Sequence, residues 1–286
     1  MRRVAWRLES LAYDGLSLLL RALGFERASA LGAWLLARLG PHTSKQRIVL
    51  RNLDIAFPKL DATQKRSLAC TAWANLGRTF AEFPLTHRLR APGPRVAVEG
   101  MEHLDAVVAS SRPCVVVTGH FANWEVMACV LAQSALDCAI TYRRINNPLM
   151  DRRVRGQRQA YGTRTLVPKS GAAGARQLLQ ALKAGRSVAL LGDQKFNTGL
   201  GLPFFDHTAM TAPGPVRLAL QADVPILRMW CRRDGARFTV GFEPLWTPHD
   251  VESGVAEILR WTEEIIRRAP AQWFWPHRRW PKEEYR

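Results

Sequence analysis

Apolar positions through residue 92 recur at the three-to-four-residue spacing of a helix face. The first such stretch, "MRRVAWRLESLAYDGLSLLLRALG", places Leu8, Leu11, Ala12, Leu16, Leu19 and Leu23 along one amphipathic helix. Glu9, Asp14, Arg21, Glu26 and Arg27 interrupt it, so the ~18 uncharged apolar residues of a spanning helix are missing. No small-x-small cleavage site follows a clean apolar run, which argues against a secretory signal. With Arg2, Arg3 and Arg7 crowded at one end, the pattern fits a helix lying in a membrane interface. It equally fits a helix packed on its own domain. "TSKQ" at 43–46 and "DATQ" at 61–64 both read as capping boxes, with Pro58 separating the helices they open. "RAPGPR" at 90–95 is the clearest linker, because Pro-Gly-Pro cannot continue a helix.

Past the linker the rhythm changes to short apolar or β-branched runs alternating with helical segments. Strands are expected at "VAVE", "CVVVTG", "CAITYR", "TRTLVP" and "SVALLGD". Helices are expected at 101–109, 123–135, 148–161, 172–184 and 215–222. "PILRMWCRR" and "RFTVGFEPLW" form a late strand pair across "DGA", and a last helix covers 251–268. This alternation predicts a layered α/β/α fold with a mostly parallel mixed sheet, preceded by an N-terminal helical region. Residues 1–92 form the helical region and 93–286 the sheet domain.

Composition sharpens this picture in two ways. The formal net charge is +17 and the pI about 10.7, which points to an anionic partner or to a basic surface kept for solubility. Helix-turn-helix, RNP and zinc-finger signatures are missing, so charge alone is left to support nucleic-acid binding. Cys70, Cys114, Cys129, Cys138 and Cys231 are odd in number and lack C-x-x-C spacing. They read as buried free thiols of a reducing compartment. Metal-ligand spacing and a G-x-S-x-G nucleophile elbow are both missing.

The chemistry concentrates in "CVVVTGHFANWEVMA", residues 114–128. Ligands of open α/β sheets bind beyond the carboxyl ends of strands, which is where His120 falls. Asn123 is a good N-cap and puts Glu125 in the first helical turn. Five residues of regular helix turn through about 500°, roughly 140° off-face. The two side chains therefore meet only if His120 lies in the turn before the helix. A carboxylate beside an imidazole fixes its tautomer and supports its cation, giving a general base. Alone, H-x-x-x-x-E also describes a turn-bonded histidine and a helix-start charge. "LLGDQK" brings Asp193, Gln194 and Lys195 to the same sheet edge. "YRRINNPLMDRRVRGQR" adds Arg143, Arg144, Arg152, Arg153, Arg155 and Arg158, either as a solvated helix face or as partners for a phosphorylated substrate. "LPFFDHTAMTAPGPVRLA" supplies Phe204 and Phe205 as aromatic wall residues and a Thr cap before the next helix.

H-x-x-x-x-E, then N-P-L-x-D with a following arginine, then G-D-Q, then P-F-F with a later G-P, resembles the late acyltransferases of lipid A biosynthesis. These are the lauroyl and myristoyl transferases of the glycerolipid acyltransferase superfamily. The closing "APAQWFWPHRRWP" is similar to their C-terminal signature, and the likeness spans nearly the whole chain. It implies transfer of an acyl chain from acyl carrier protein to a hydroxyl of a phosphorylated lipid A precursor. The place implied is the cytoplasmic face of the inner membrane, with peripheral or monotopic attachment. His120 and Glu125 then form the catalytic pair, with Glu125 supporting the imidazolium. Arg158, Asp193, Gln194, Asn123 and Arg144 are the expected substrate- and oxyanion-binding set, with Asp193 orienting Arg158. The acyl-carrier thioester is a co-substrate, and neither cofactor nor metal is implied. Acidic carrier protein, phosphorylated glycolipid and anionic membrane are the expected partners, and nucleic acid is not. The same motifs suit another acceptor, such as a lysophospholipid, an aminolipid or another glycolipid. The aromatic-basic block at 273–280 reads as an interfacial anchor or lid, or as a core-packed tail.

Overall fold

The computed structural model describes residues 2–286. Four helices come first: α1 (Arg2–Leu23), α2 (Phe25–Leu39), α3 (Gln46–Ala56) and α4 (Ala62–Glu82). Gly24, at φ 78°, breaks α1 from α2. Asp61 starts α4 with a complete capping box. The second expected box is missing: Lys45 caps α3 without a side-chain bond, and Thr43 turns back to Gly40 O at 2.7 Å. A short 3₁₀ turn at Gly40–His42 occupies Thr43 instead. α2 and α4 cross closely because Gly32 and Gly77 meet, where a methyl on either collides with the other's backbone.

The sheet domain runs β1 (Val96–Glu99), α5 (Met101–Ser110), β2 (Val115–Thr118), α6 (Trp124–Gln133), β3 (Cys138–Tyr142), α7 (Pro148–Ala160), β4 (Thr165–Pro168), α8 (Ala172–Lys183) and β5 (Ser187–Leu191). It continues with β6 (Lys195–Phe204), β7 (His207–Thr211), α9 (Gly214–Ala222), β8 (Ile226–Asp234), β9 (Arg237–Phe242) and α10 (Val251–Arg268). Seven strands form one sheet in the order β1-β9-β8-β2-β5-β3-β4. All pairs are parallel except β8 with β9, the expected late hairpin. The sheet is therefore mixed and mostly parallel, with helices on both faces.

Alternation along β2 builds the two layers. Val115 and Val117 pack with apolar residues of α8, α9 and α10. Val116 packs with those of α5 and α6. All three valines are fully buried, each worth about 1.5–3 kcal/mol of transfer free energy.

Some sequence expectations change here, and the open alternative for the tail is decided. β6 and β7 form a separate antiparallel hairpin where only wall residues and a cap were expected. Its turn places Phe205 and Asp206 at φ 51° and 60°, a left-handed pair without the glycine that usually signals it. Phe204 and Phe205 are buried in the core, and α9 follows Pro213 without a side-chain cap. The aromatic tail is core-packed, with Trp273, Trp275 and Trp280 all buried. Cys70 is exposed, whereas burial pushes the thiols of Cys114, Cys129 and Cys231 up to about 12.

Candidate active site

Sheet register builds the centre of the site. β2 and β5 are parallel neighbours, with Thr118 opposite Leu191. Two residues beyond that pair, past the carboxyl ends of both strands, stand His120 and Asp193. Gly192 N–H donates to Thr118 O at 2.8 Å, extending the ladder to the site. Asp193 grips His120 with both oxygens: Oδ1 lies 2.8 Å from Nδ1, and Oδ2 accepts the His120 backbone N–H at 2.7 Å. Trp273 Nε1–H donates to the same Oδ2 at 2.8 Å. Burial alone would raise the Asp193 pKa. The His120 charge and hydrogen bonds, with the Trp273 indole, hold it below the usual carboxylate range. Nδ1 is thus committed to a carboxylate, leaving Nε2 as the ring nitrogen that can accept a proton, with the Gln194 amide nitrogen 3.4 Å away.

Glu125 has different partners. Arg158 donates to it twice, from Nε at 3.1 Å and Nη2 at 2.6 Å, and the Tyr161 hydroxyl donates at 2.9 Å. The expected pairings are therefore exchanged: Asp193 holds the imidazole, and Glu125 holds the arginine. The reason is geometric. Asn123 caps α6 by accepting Glu125 N–H at 3.1 Å, which directs Glu125 along the helix start toward α7. Asp193 meets His120 directly through the β2–β5 register. Although burial opposes it, the Glu125 charge raises Arg158 above its ordinary value, so the guanidinium stays charged. Burial also raises Tyr161 well above the usual phenol range, keeping it a donor.

The His120 turn is clamped from three directions. Ala122 sits at φ 45°, a left-handed conformation costly for alanine. Its N–H donates to Gln272 O at 2.6 Å, and its carbonyl accepts from Thr79 Oγ1 at 2.9 Å. Asn123 Nδ2 donates to Glu82 at 2.8 Å. Glu82 is fully buried and bound bidentately by Arg233 of β8, with both bonds at 2.7 Å. The N-terminal helices thus reach the site through Thr79 and Glu82. Asn123 is buried and positions the turn, whereas Arg144 is exposed. Of the other arginines, Arg153 pairs with Asp14 of α1, while Arg143, Arg152 and Arg155 are exposed.

Tyr161, Thr79 and Glu82 had no signal in the sequence. Trp273 lies in the aromatic tail block, but its partner is 80 residues away. His277, of the same block, is half-buried. Burial pushes it down to about 4, so it is neutral beside Asp193 and His120.

A small pocket of about 50 Å³ lies beside Glu125 and Arg158. Its walls are mainly apolar, including Met127, Leu131, Ile140, Ala189 and Met229. Trp124 packs edge-on and Phe274 tilted against the His120 ring, with centroids at 5.2 and 5.8 Å. An imidazole with a fixed tautomer can take a proton from a hydroxyl. A charged arginine is among the residues that line a small, mainly apolar pocket.

This combination could abstract a proton from a hydroxyl beside an apolar group. Residues 7–282 match the model of the bacterial lipid A biosynthesis acyltransferases, and the chain belongs to that family. It is 27% identical over 251 residues to the lipid A biosynthesis palmitoleoyltransferase of Escherichia coli (strain K12), covering 82% of this chain and 78% of that protein. The lipid A biosynthesis lauroyltransferase of the same strain is 26% identical over 252 residues, with the same coverages. A phosphatidylinositol mannoside acyltransferase of Mycobacterium tuberculosis (strain CDC 1551 / Oshkosh) is 25% identical over 225 residues, covering 74% of this chain and 70% of its own.

Proposed function

We propose that this protein transfers a fatty acyl chain from acyl carrier protein to a hydroxyl of a lipid A precursor, at the cytoplasmic face of the inner membrane. The observation that carries the chemistry is the His120–Asp193 pair at the ends of two parallel strands, beside an apolar pocket. Asp193 holds the imidazole so that Nε2 accepts the acceptor hydroxyl proton. The alkoxide attacks the thioester carbonyl and forms a tetrahedral oxyanion. Collapse of that intermediate expels the carrier thiolate, which takes the proton back from His120. No acyl-enzyme forms. Arg158 spends part of its guanidinium on Glu125, and its remaining N–H groups serve the oxyanion or a substrate phosphate, alongside a backbone N–H near Gly119. The acyl chain enters at the apolar pocket under Trp124, whose walls part to take its length.

Membrane contact rests on an inverted helix. α1 buries Ser10, Ser17 and Leu20, while Val4, Leu8, Leu11, Leu16, Leu18 and Leu19 are more than half exposed. Trp34 and Leu39 of α2 and Phe80 of α4 are also more than half exposed. A patch of this kind marks an interaction site, and the basic residues Arg2, Arg3 and Arg7 suit anionic lipid. No helix among the described residues is long and apolar enough to cross a membrane. Replacing both Leu8 and Leu11 with Glu is expected to lower affinity for anionic vesicles at least about tenfold, read by flotation. Unchanged flotation would place the membrane surface elsewhere.

A different glycolipid acceptor is the second reading, favoured by the similarity to a phosphatidylinositol mannoside acyltransferase. Purified protein offered acyl carrier protein or coenzyme A thioesters, each with a lipid A precursor or a mannosylated phospholipid, separates the readings. Acylation of the lipid A precursor from the carrier-protein thioester is the expected result. Acylation of the mannolipid alone would favour the second reading.

A further inference from the structure

We propose that Trp273 is a positioning residue for His120, its indole N–H setting how strongly Asp193 holds the proton of the imidazole. The inference rests on the reading of His120 as the general base. Asp193 Oδ2 accepts two bonds, from His120 N–H and from Trp273 Nε1–H, while Oδ1 faces the ring nitrogen. Each donor draws charge from the carboxylate. Removing one leaves Asp193 with more charge to hold the imidazolium, so the base stays protonated to higher pH.

Trp273 is built to hold this bond. It is 3% exposed, and its ring lies against Phe204, Trp275 and Trp280 at 5.9, 4.8 and 6.5 Å. Its backbone forms an isolated antiparallel bridge with Phe121, the residue after His120. The neighbouring Gln272 carbonyl receives Ala122 N–H. The tail carrying it is tied down on both sides. Asn52 Nδ2 donates to the carbonyls of Trp275 and His277 at 2.7 and 2.8 Å, and Trp280 Nε1 donates to Phe204 O at 3.1 Å. Arg279, fully buried, donates to Met210 O and Thr211 Oγ1 of β7 at 3.1 and 2.6 Å. Ring packing explains a large aromatic at position 273 but not an N–H aimed at the carboxylate that grips the base.

Other titratable groups also face the pair. Lys169 and Arg279 act on Asp193, and His277 acts on both Asp193 and His120. Lys195 lies in the same field through His277. None of them changes in a variant that alters only the indole nitrogen.

Trp273→Phe keeps an aromatic ring and removes the donor. In the full chain, the acid limb of the kcat/KM profile is expected to move up by about one pH unit, with KM unchanged. The His120 ring resonances, followed by NMR without substrate, are expected to titrate higher by the same amount. A folded variant with an unmoved His120 titration, its rate lowered equally at all pH, overturns the proposal and leaves Trp273 a packing residue. If the His120 titration moves but wild type transfers no acyl chain, the positioning stands and the acyl-transfer reading falls. Should Trp273→Phe fail to fold, 3-benzothienylalanine at that position preserves the bicyclic shape without the N–H, and the same NMR shift decides.

Discussion

His120→Ala is expected to lower acyl transfer by about 10²–10⁴-fold, the range of a lost general base. No neighbouring group replaces it. Gln194 is an amide, and the half-buried His277 is held by the Asn52 hydrogen bond to its carbonyl in the packed tail. The variant should fold, because Asp193 keeps its bonds from Trp273 and from the backbone N–H of residue 120. It loses one hydrogen bond to a charged group, about 1.5–3 kcal/mol, which corresponds to a fall of roughly 3–12 °C in Tm. A thermal melt beside a single-turnover assay separates the two effects. Activity within threefold of wild type would falsify the assignment of the base.

Asp193→Asn is expected to be nearly as damaging, about 10²–10⁴-fold in kcat, although it conserves shape. The amide removes the charge that supports the imidazolium, and its NH₂ competes for Nδ1, which favours the wrong tautomer. His120 and Asp193 act as a unit, so the double variant should be no slower than His120→Ala alone. A multiplicative loss would mean that Asp193 works elsewhere, for example through Arg158. Stability gives an independent signature. The Asp193 carboxyl lies below its ordinary value in the folded chain. Its contribution is complete above the unfolded-state value of about 3.9 and is lost as pH falls through the lower folded value. The wild-type advantage in Tm over Asp193→Asn should therefore be full at neutral pH and shrink toward strongly acidic pH.

The sequence held more of the fold than of the wiring. Strand and helix alternation after residue 92, the Asp61 capping box and the late hairpin each follow from local chemistry, and each is present. The β6–β7 hairpin was hidden because its turn uses Phe205 and Asp206 where glycine or asparagine would announce it. The site residues stood out by type, since His120, Glu125, Arg158 and Asp193 sit beyond strand ends or on the helices that follow them. Which carboxylate serves which cation was not legible. That depends on the β2–β5 register, a pairing between residues more than 70 positions apart. Trp273 was hidden for the same reason. Its role is a hydrogen bond across 80 residues, whereas its neighbourhood reads only as aromatic and basic. The outward face of α1 was decided by tertiary packing: periodicity marks an apolar stripe, and the serines turned inward leave that stripe more than half exposed.

The central claim is acyl transfer to a lipid A precursor by a His120-dependent mechanism. It is tested most directly by mass spectrometry of lipid A from a Gram-negative host lacking its own late acyltransferases. The host would express either this chain or its His120→Ala form, with equal amounts confirmed in the membrane fraction. One additional acyl mass on the precursor with wild type, and none with His120→Ala, is the predicted result. An unmodified precursor in both strains would contradict the lipid A assignment, and equal acylation in both would contradict the mechanism.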